Sequence, residues 1–161
     1  MSTEKVDAIL PGSATQNNEG KMRKYLIFMI NDEERGSLRL GIDAEYVVEI
    51  LNNYSSTYLP MVPGYIRGVF NMRGQIIPIM DIRLRLDKSP CESNLLIVIN
   101  YNEVQVGLMV DMVDRILDID ESTITTVPSQ ESQRFVSGMC TLPDQTGTLL
   151  ILNCEQLFAH E

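Results

Sequence analysis

An internal repeat with a period of about 70 residues limits the folds that this chain can adopt. The apolar run Tyr25–Ile30 corresponds to Leu95–Ile99, and Gly41 corresponds to Gly107. The remaining correspondences, in chain order, are Val47–Leu51 with Val113–Leu117, Ile66–Val69 with Val136–Met139, and Gly74–Asp81 with Gly147–Asn153. Because a unit of about 65 residues has little interior of its own, we expect two small β units that pack together and share apolar surface.

Short apolar runs, many of them β-branched, alternate with turn signals from residue 24 onward, which predicts a mainly β fold. Three short helices are also predicted, because Asp43, Asp81 and Asn153 are good helix caps. The first would cover residues 44–51. The third would be stabilised by Gln156, three residues after its cap, in the manner of a capping box.

The net charge of the 161-residue chain is -9, and this opposes binding to nucleic acid or to an anionic membrane surface. We expect a flexible leader over residues 1–22, since that stretch is polar and lacks periodicity. No signal peptide and no membrane-spanning segment is predicted, so a cytoplasmic protein is expected. The three cysteines have no metal-ligand spacing, which indicates free thiols in a reducing compartment.

No residue pattern in the sequence predicts a catalytic or metal site. His160 is the only histidine and lies at the chain end, where nucleophilic catalysis is not expected. Catalysis or metal binding by paired carboxylates, such as Asp111 with Asp114, would need their side chains to converge on one point. Spacing in the sequence does not show such convergence. The stretch Asp118–Glu121 resembles part of a calcium loop without its glycine, and it is interpreted as a solvated turn.

The densest local signal is a predicted hairpin around Asn71–Gly74, a sequence that favours a type I turn. Met72 and Arg73 would lie at its tip. The guanidinium of Arg73 would then be either a recognition group for carboxylates or a solvated side chain, and composition does not decide between them. Pro78 cannot donate a backbone hydrogen bond, which predicts an edge strand or a bulge.

The segment Ile66–Asp81 resembles the signature of the CheW family, and the resemblance extends over about residues 24 to 159. Further matches are Gly41–Asp43, Val47 with Glu49–Ile50, Val106–Asp111 with Val113, Phe135–Gly138 and Leu149–Asn153. The positions that match as structural motif residues are Gly41, Asp43, Gly68, Asn71, Gly74, Pro78, Asp81, Gly107, Asp111 and Gly138. The first turn, 32–39, is longer than usual, Leu40 replaces an aromatic residue, and Asn153 replaces an aspartate.

The resemblance implies a fold of two tandem five-stranded SH3-like barrels packed side by side. Their expected extents are 23–90 and 91–161, within one CheW-like domain at 23–161. It also implies a non-catalytic adaptor that needs no cofactor or metal. This adaptor would couple methyl-accepting chemotaxis receptors to the regulatory domain of the histidine kinase CheA, in arrays beneath the membrane. An adaptor of another chemosensory pathway, for surface motility or second-messenger control, is the alternative, and self-association is open.

The residues that the resemblance places at a receptor-binding groove between the barrels are Val47, Glu49, Arg73, Leu95 and Leu96. Glu49 and Arg73 would form a charge pair that braces the groove. For the two leucines, a place in the hydrophobic core is an equal alternative. An unrecognised enzyme and a small-barrel nucleic-acid binder are rival readings, but the scarcity of histidine opposes the first and the net charge opposes the second.

Overall fold

The structure, a computed structural model, describes residues 21–34, 36–128 and 134–159. Its strands are β1 (Met22–Asp32), β2 (Gly36–Asp43), β3 (Val47–Leu51), β4 (Ser56–Thr57), β5 (Ile66–Met72), β6 (Gln75–Asp81), β7 (Leu95–Tyr101), β8 (Val104–Val110), β9 (Met112–Asp120), β10 (Thr125–Thr126), β11 (Val136–Thr141) and β12 (Thr148–Leu152). The helices are α1 (Ile82–Arg85) and α2 (Cys154–Leu157), and Ala44–Tyr46 and Glu121–Thr123 form 3₁₀ turns. The expected leader and His160 lie outside the described residues, apart from Lys21 and Met22.

The strands form two six-stranded sheets, with the orders β10-β11-β12-β2-β1-β9 and β3-β7-β8-β6-β5-β4. We call them sheet A and sheet B. Each contains five longer strands and one strand of two residues, which confirms the mainly β architecture with two SH3-like units.

Neither sheet follows the expected division between residues 90 and 91. Sheet A takes β1 and β2 from the first half of the chain and β9 to β12 from the second, whereas sheet B consists of β3 to β8. The chain leaves sheet A after β2 and returns to it after β8. Each sheet therefore combines strands from both halves of the sequence, and neither can form from one half alone.

Strand register confirms that the repeat in the sequence is a repeat in the structure. In the parallel pair β12·β2, Ile151 lies opposite Gly41, and in the parallel pair β6·β8, Ile79 lies opposite Gly107. The β5·β6 and β11·β12 hairpins also share an irregularity at the same point, just before Gly68 and Gly138. An approximate twofold relation therefore superimposes β1, β2 and β9 to β12 on β7, β8 and β3 to β6.

Three apolar clusters explain why the strand sequences are continuous apolar runs. In β1, Tyr25 and Ile27 fill the interior of sheet A, while Leu26, Phe28 and Ile30 pack into a core shared with sheet B. In β7, Leu96 and Val98 fill the interior of sheet B, and Ile97 and Ile99 enter the same shared core. A strand buried on both faces has no polar alternation.

The prediction for residues 44–51 is wrong. Only Ala44–Tyr46 forms a turn, capped by Asp43, and Val47–Leu51 is strand β3 with alternating half-buried and exposed side chains. Its valines and isoleucine are β-branched, and pairing with β7 outweighs the weak helical stripe.

The other two predicted caps are confirmed. The Asp81 side chain accepts hydrogen bonds from the first amides of α1. The Asn153 side chain accepts one from the amide of Gln156.

The predicted hairpin is present, but its turn covers residues 72–75 and not 71–74, and it is the mirror-image type of the turn expected. Met72 pairs with Gln75, and both central residues have positive φ, 53° at Arg73 and 87° at Gly74. This is the arrangement of a type I′ turn, whose twist matches that of the strands. Asn71 accepts a hydrogen bond from the Gly74 amide at 2.9 Å. Met72 is half-buried, so Arg73 alone extends from the tip.

Pro78 was expected on an edge strand or at a bulge, and β6 is an interior strand of sheet B. An irregularity in the β5·β6 pairing, between Ile66 and Gly68, lies next to the Val69–Pro78 pair. The β6 strand pairs with β8 only from Ile79 onward, so Pro78 meets no strand on that side. Gly68, paired with Ile79, has φ of 149°, and a Cβ atom there would lie 2.5 Å from the Thr57 carbonyl oxygen. This close approach of β4 to β5 accounts for the glycine in the motif.

The long first turn is largely additional strand. β1 and β2 remain paired as far as Asp32 and Gly36, and Leu40 is buried in the shared core in place of the expected aromatic side chain. No helix among the described residues has both the length and the apolar character needed to cross a membrane.

The three cysteines are free, as the sequence predicted, and all three are buried. Burial raises the thiol pKa of Cys91 and of Cys154 to about 12. Because the ordinary thiol pKa is about 8.5, the folded chain holds these protons more tightly than the unfolded chain does. The resulting stabilisation is complete below pH of about 8.5 and is lost as the pH rises towards 12.

We expect the thiols to react with a disulfide reagent at neutral pH only after the chain unfolds, since the thiolate is the nucleophile. Reagent absorbance in native and denaturing buffer measures this. Rapid release of one equivalent or more from the native protein would contradict the buried thiols.

Candidate partner-binding surface

Glu49 and Arg73 form an ion pair across the seam of sheet B. The distance from Arg73 Nη1 to Glu49 Oε1 is 2.8 Å. Glu49 lies on β3, at one end of the strand order, and Arg73 lies on the β5–β6 turn, near the other end. Their contact is possible only because the sheet curls into a barrel. The resemblance predicted this pair, and the described geometry brings the two side chains together.

Two apolar side chains next to this ion pair are exposed to solvent. Val48 is 45% exposed and Ile50 is 42% exposed, both on β3. Alternation explains this for Ile50, because Glu49 and Leu51 lie on the face of β3 that turns towards the interior of sheet B, while Ile50 lies on the other face. Val48 lies at an irregularity in the pairing of β3 with β7. We call Val48, Glu49, Ile50 and Arg73 the β3 patch. The ion pair and the exposed side chain of Ile50 lie on opposite faces of β3, and both are accessible to solvent along this edge strand.

The other three predicted groove residues are less exposed than a contact surface requires. Leu96 has no exposed area and belongs to the interior cluster of sheet B. Direct contact between Leu96 and a partner is therefore excluded in this conformation, and the core alternative holds for it. Val47 and Leu95 are half-buried against the shared core. Only part of each of these two side chains is accessible to a partner.

The β3 patch is supported by a buried network around Asp81. The Asp81 carboxylate has no exposed area and accepts hydrogen bonds from Arg67 Nη1 at 2.7 Å and from the Cys91 amide at 2.8 Å. It also caps α1, through the Arg83 amide at 2.9 Å. The end of β6 is thus tied to the segment that leads into β7, the strand that pairs with β3.

A second buried network lies beside the first. Arg83 Nη1 is 3.1 Å from the Asp111 carboxylate and also donates to the Asn31 carbonyl. Asp111 accepts from the Asn31 amide at 2.7 Å and from the Cys91 thiol at 3.3 Å. These bonds join the first hairpin of sheet A to α1 at the end of sheet B, which explains why Asp111 matches the motif.

The remaining motif residues have structural positions. Asp43 caps a 3₁₀ turn and pairs with Arg23 at 2.7 Å. Added Cβ atoms at Gly41, Gly107 and Gly138 would meet neighbouring side chains at 3.3, 3.1 and 2.6 Å. These glycines allow close packing between neighbouring strands.

The carboxylates considered for catalysis have structural partners as well. Asp118 pairs with Lys24 at 3.0 Å, and Asp120 caps the 3₁₀ turn through the Ser122 amide. Asp118–Asp120 thus ends a strand, and only Glu121 belongs to the following turn, which differs from the expected solvated turn. Within the described part of the chain, no group of three or more His, Cys, Asp or Glu residues could hold a metal ion.

Sequence reasoning missed the outward-facing residues Val48 and Ile50, because it placed them on a helix. Period-two alternation within residues 47–51 could have revealed them. It also missed a second surface ion pair, Arg115 with Asp144, at 2.6 Å. The internal repeat contained that signal, since Arg115 occupies the position of Glu49.

Comparisons with known proteins agree with this architecture. Residues 24–161 match the family described as CheW-like domain. The chain is 30% identical over 145 residues to the chemotaxis protein CheW of Klebsiella aerogenes, covering 86% of this chain and 83% of that protein. It is 32% identical over 145 residues to the CheW of Rhizobium meliloti, covering 86% and 89%.

A solved structure shows the same fold. The crystal structure of the scaffolding protein TtCheW from Thermoanaerobacter tengcongensis matches with a TM-score of 0.72 and 27% identity, over 83% of this chain and 90% of that chain. The family match covers nearly all of the described residues, and the two sheets with their repeated hairpins agree with it. The chain therefore belongs to the family of CheW-like domains.

Proposed function

We propose that this protein is a non-catalytic cytoplasmic adaptor that couples chemotaxis receptors to the histidine kinase CheA. Membership of the CheW-like family and the likeness to a scaffolding protein support this role. The observation that carries it is the β3 patch, where an ion pair at 2.8 Å fixes a charged tip on an edge strand that also exposes two apolar side chains. This arrangement suits recognition of a protein and provides no reacting group.

The receptor side of the coupling is assigned to the β3 patch. Arg73 is largely exposed, and its guanidinium can pair with a carboxylate on the receptor tip while Glu49 fixes its direction. Val48 and Ile50 would bury apolar area around that contact. An exposed ion pair contributes only about 0–1 kcal/mol to folding, so the pair shapes the surface more than it stabilises the fold.

Signal transfer would follow from geometry. Simultaneous contact with receptor and kinase holds the kinase in place, and a change at the receptor tip shifts the balance between kinase states. Many weak contacts in an array below the membrane give tight assembly overall. The protein itself would reach the membrane only through its receptor partner.

Replacing Arg73 with glutamate is expected to weaken receptor binding at least about tenfold, because it puts two like charges side by side and removes the exposed cation. Binding of a receptor cytoplasmic fragment, measured by titration calorimetry, checks this. Affinity for the kinase regulatory domain should not change, since the variant alters a single exposed side chain on one turn.

Arg115→Glu is the matched control, because Arg115 is the arginine of the corresponding ion pair in sheet A, where it occupies the strand position of Glu49. It should bind the receptor fragment as the unmodified chain does. Equal losses in both variants would argue against the β3 patch as the receptor site. Failure of the unmodified, folded chain to bind either partner would overturn the chemotaxis role and favour a different kinase pathway.

A further inference from the structure

A cavity of about 240 Å³ lies where sheet A meets the end of β7 and the start of α2. Three tyrosines line it, Tyr25 on β1, Tyr46 in the first 3₁₀ turn and Tyr101 on β7, and we call it the tyrosine cavity. Sites for drug-sized ligands measure about 300–1,000 Å³, so this cavity suits one small chemical group. None of its lining residues belongs to the β3 patch.

Tyr25 brings a buried hydroxyl group to the tyrosine cavity. The residue is only 7% exposed, and its ring packs in the interior of sheet A. Its hydroxyl makes no hydrogen bond to another described residue. The hydroxyl of a buried tyrosine usually has a partner. Because the side chain also lines the cavity, a ligand in that cavity can supply one.

The tyrosine cavity is electronegative. Asp43 and Glu155 line it, and none of its described lining residues is a lysine, an arginine or a histidine. Arg23 already pairs with Asp43 at 2.7 Å, whereas the exposed Glu155 makes no hydrogen bond or ion pair with a described residue. Burial, and next the negative charge of Asp43, raises the pKa of both Tyr25 and Tyr46. The site therefore favours a positively charged ligand.

The rings of Tyr46 and Tyr101 add flat apolar walls at nearly a right angle. Their centres are 5.2 Å apart, and their planes are inclined at 82°. The face of such a ring attracts a cation within about 6 Å of its centre. The chain uses the same contact elsewhere, since the guanidinium carbon of Arg85 lies 4.1 Å from the centre of the Tyr65 ring. A cation in the cavity can interact with the rings and with the carboxylates together.

We propose that the tyrosine cavity binds a small molecule through a guanidinium group. The carboxylates and ring faces call for a cation, and the oxygens of Tyr25 and Glu155 call for N–H donors, which a quaternary ammonium lacks. A guanidinium group is planar, so it can lie against a tyrosine ring and donate in its own plane to the Glu155 carboxylate. An ammonium group is more strongly hydrated and is not planar, so it fits the site less well. This binding does not depend on the receptor contact proposed above.

Ethylguanidinium is the probe, and ethylurea is its matched control, because the two molecules have nearly the same shape and only the first is charged. The full chain has six tyrosines, so isotope-labelled tyrosine rings report on every one of them by NMR. We expect saturable shifts at Tyr46 and Tyr101, and none at Tyr54 and Tyr58, which lie outside the cavity. Ethylurea and tetramethylammonium should bind at least about tenfold more weakly.

Tyr25→Phe removes only the hydroxyl group. Since that group has no partner among the described residues, the free variant should unfold at the urea concentration of the unmodified chain, yet bind ethylguanidinium at least about threefold more weakly. Glu155→Gln removes a charge and should weaken binding at least about tenfold. Glu45→Gln is the control variant, because it removes a carboxylate that is 77% exposed and lies outside the cavity. Its affinity should equal that of the unmodified chain.

Three results would overturn the proposal. They are the absence of saturable shifts at Tyr46 and Tyr101, equal affinity for ethylguanidinium and ethylurea, and unchanged binding by both Tyr25→Phe and Glu155→Gln. The last result would place the ion on the outer acidic surface of the chain. The Arg73→Glu experiment tests the receptor contact by itself, so failure of either proposal is recognised separately.

Discussion

Asp81→Ala is expected to lower the free energy of unfolding by about 4 kcal/mol, because it removes a fully buried carboxylate that holds several donors. The lost acceptors serve Arg67 and the amides of Cys91, Arg83 and Leu84, at 2.7, 2.8, 2.9 and 3.4 Å. The amides would remain buried without their partner, and α1 would lose its cap. Urea unfolding followed by far-ultraviolet circular dichroism measures the change.

Asp81→Asn separates the two parts of this effect. An asparagine can still cap α1, as Asn153 caps α2 at the equivalent position of sheet A, but it cannot pair with the guanidinium of Arg67. We expect a loss of about 2 kcal/mol, intermediate between the unmodified chain and the alanine variant. If Asp81→Ala unfolds at the urea concentration of the unmodified chain, the network does not stabilise the fold.

Arg85→Ala is expected to cost about 3 kcal/mol of unfolding free energy, because Arg85 joins the two sheets at the end of the shared core. Its side chain is buried, and the guanidinium carbon lies 4.1 Å from the centre of the Tyr65 ring and 4.6 Å from that of Phe135. Nη2 donates to carbonyl oxygens at the end of α2, those of Gln156, Leu157 and Ala159. A cation at a helix C-terminus is favourable.

Burial lowers the pKa of Arg85, so part of what its contacts provide is offset by desolvation of its charge. This is why the expected loss is smaller than the sum of the contacts. Arg85→Lys should be intermediate, since it keeps a cation but not the planar group that fits between the rings. Arg115→Ala, at an exposed arginine, should change unfolding by less than about 0.5 kcal/mol. Equal effects at the two arginines would reject the role of Arg85.

The helix caps and the hairpin could be predicted from the residues at those positions. Asp81 and Asn153 cap helices as predicted, because a side-chain acceptor at the residue before a helix satisfies amides that have no other partner. The hairpin at residues 71–74 was predictable from its asparagine and glycine. Its type I′ form was not, because that depends on the twist of the paired strands.

The error at residues 44–51 has a physical cause. A stripe of aliphatic residues indicated a helix, but the segment is too short for a helix to be stable by itself. Pairing with β7 gives its backbone groups partners and lets Val47 pack on the shared core. The exposed side chains of the β3 patch follow from that pairing, so this part of the site could not be derived from local propensity.

By itself, the sequence determined that the protein has two related β units, because the repeat preserves glycines and apolar runs in order. It also identified Glu49 and Arg73, through the family resemblance. The tertiary structure decided which strands belong to which unit, because β1 pairs with β9 and β2 pairs with β12, and these partners are distant in the chain. It also decided that Leu96 is core while Val48 is surface, since burial depends on the neighbours that strand pairing brings together.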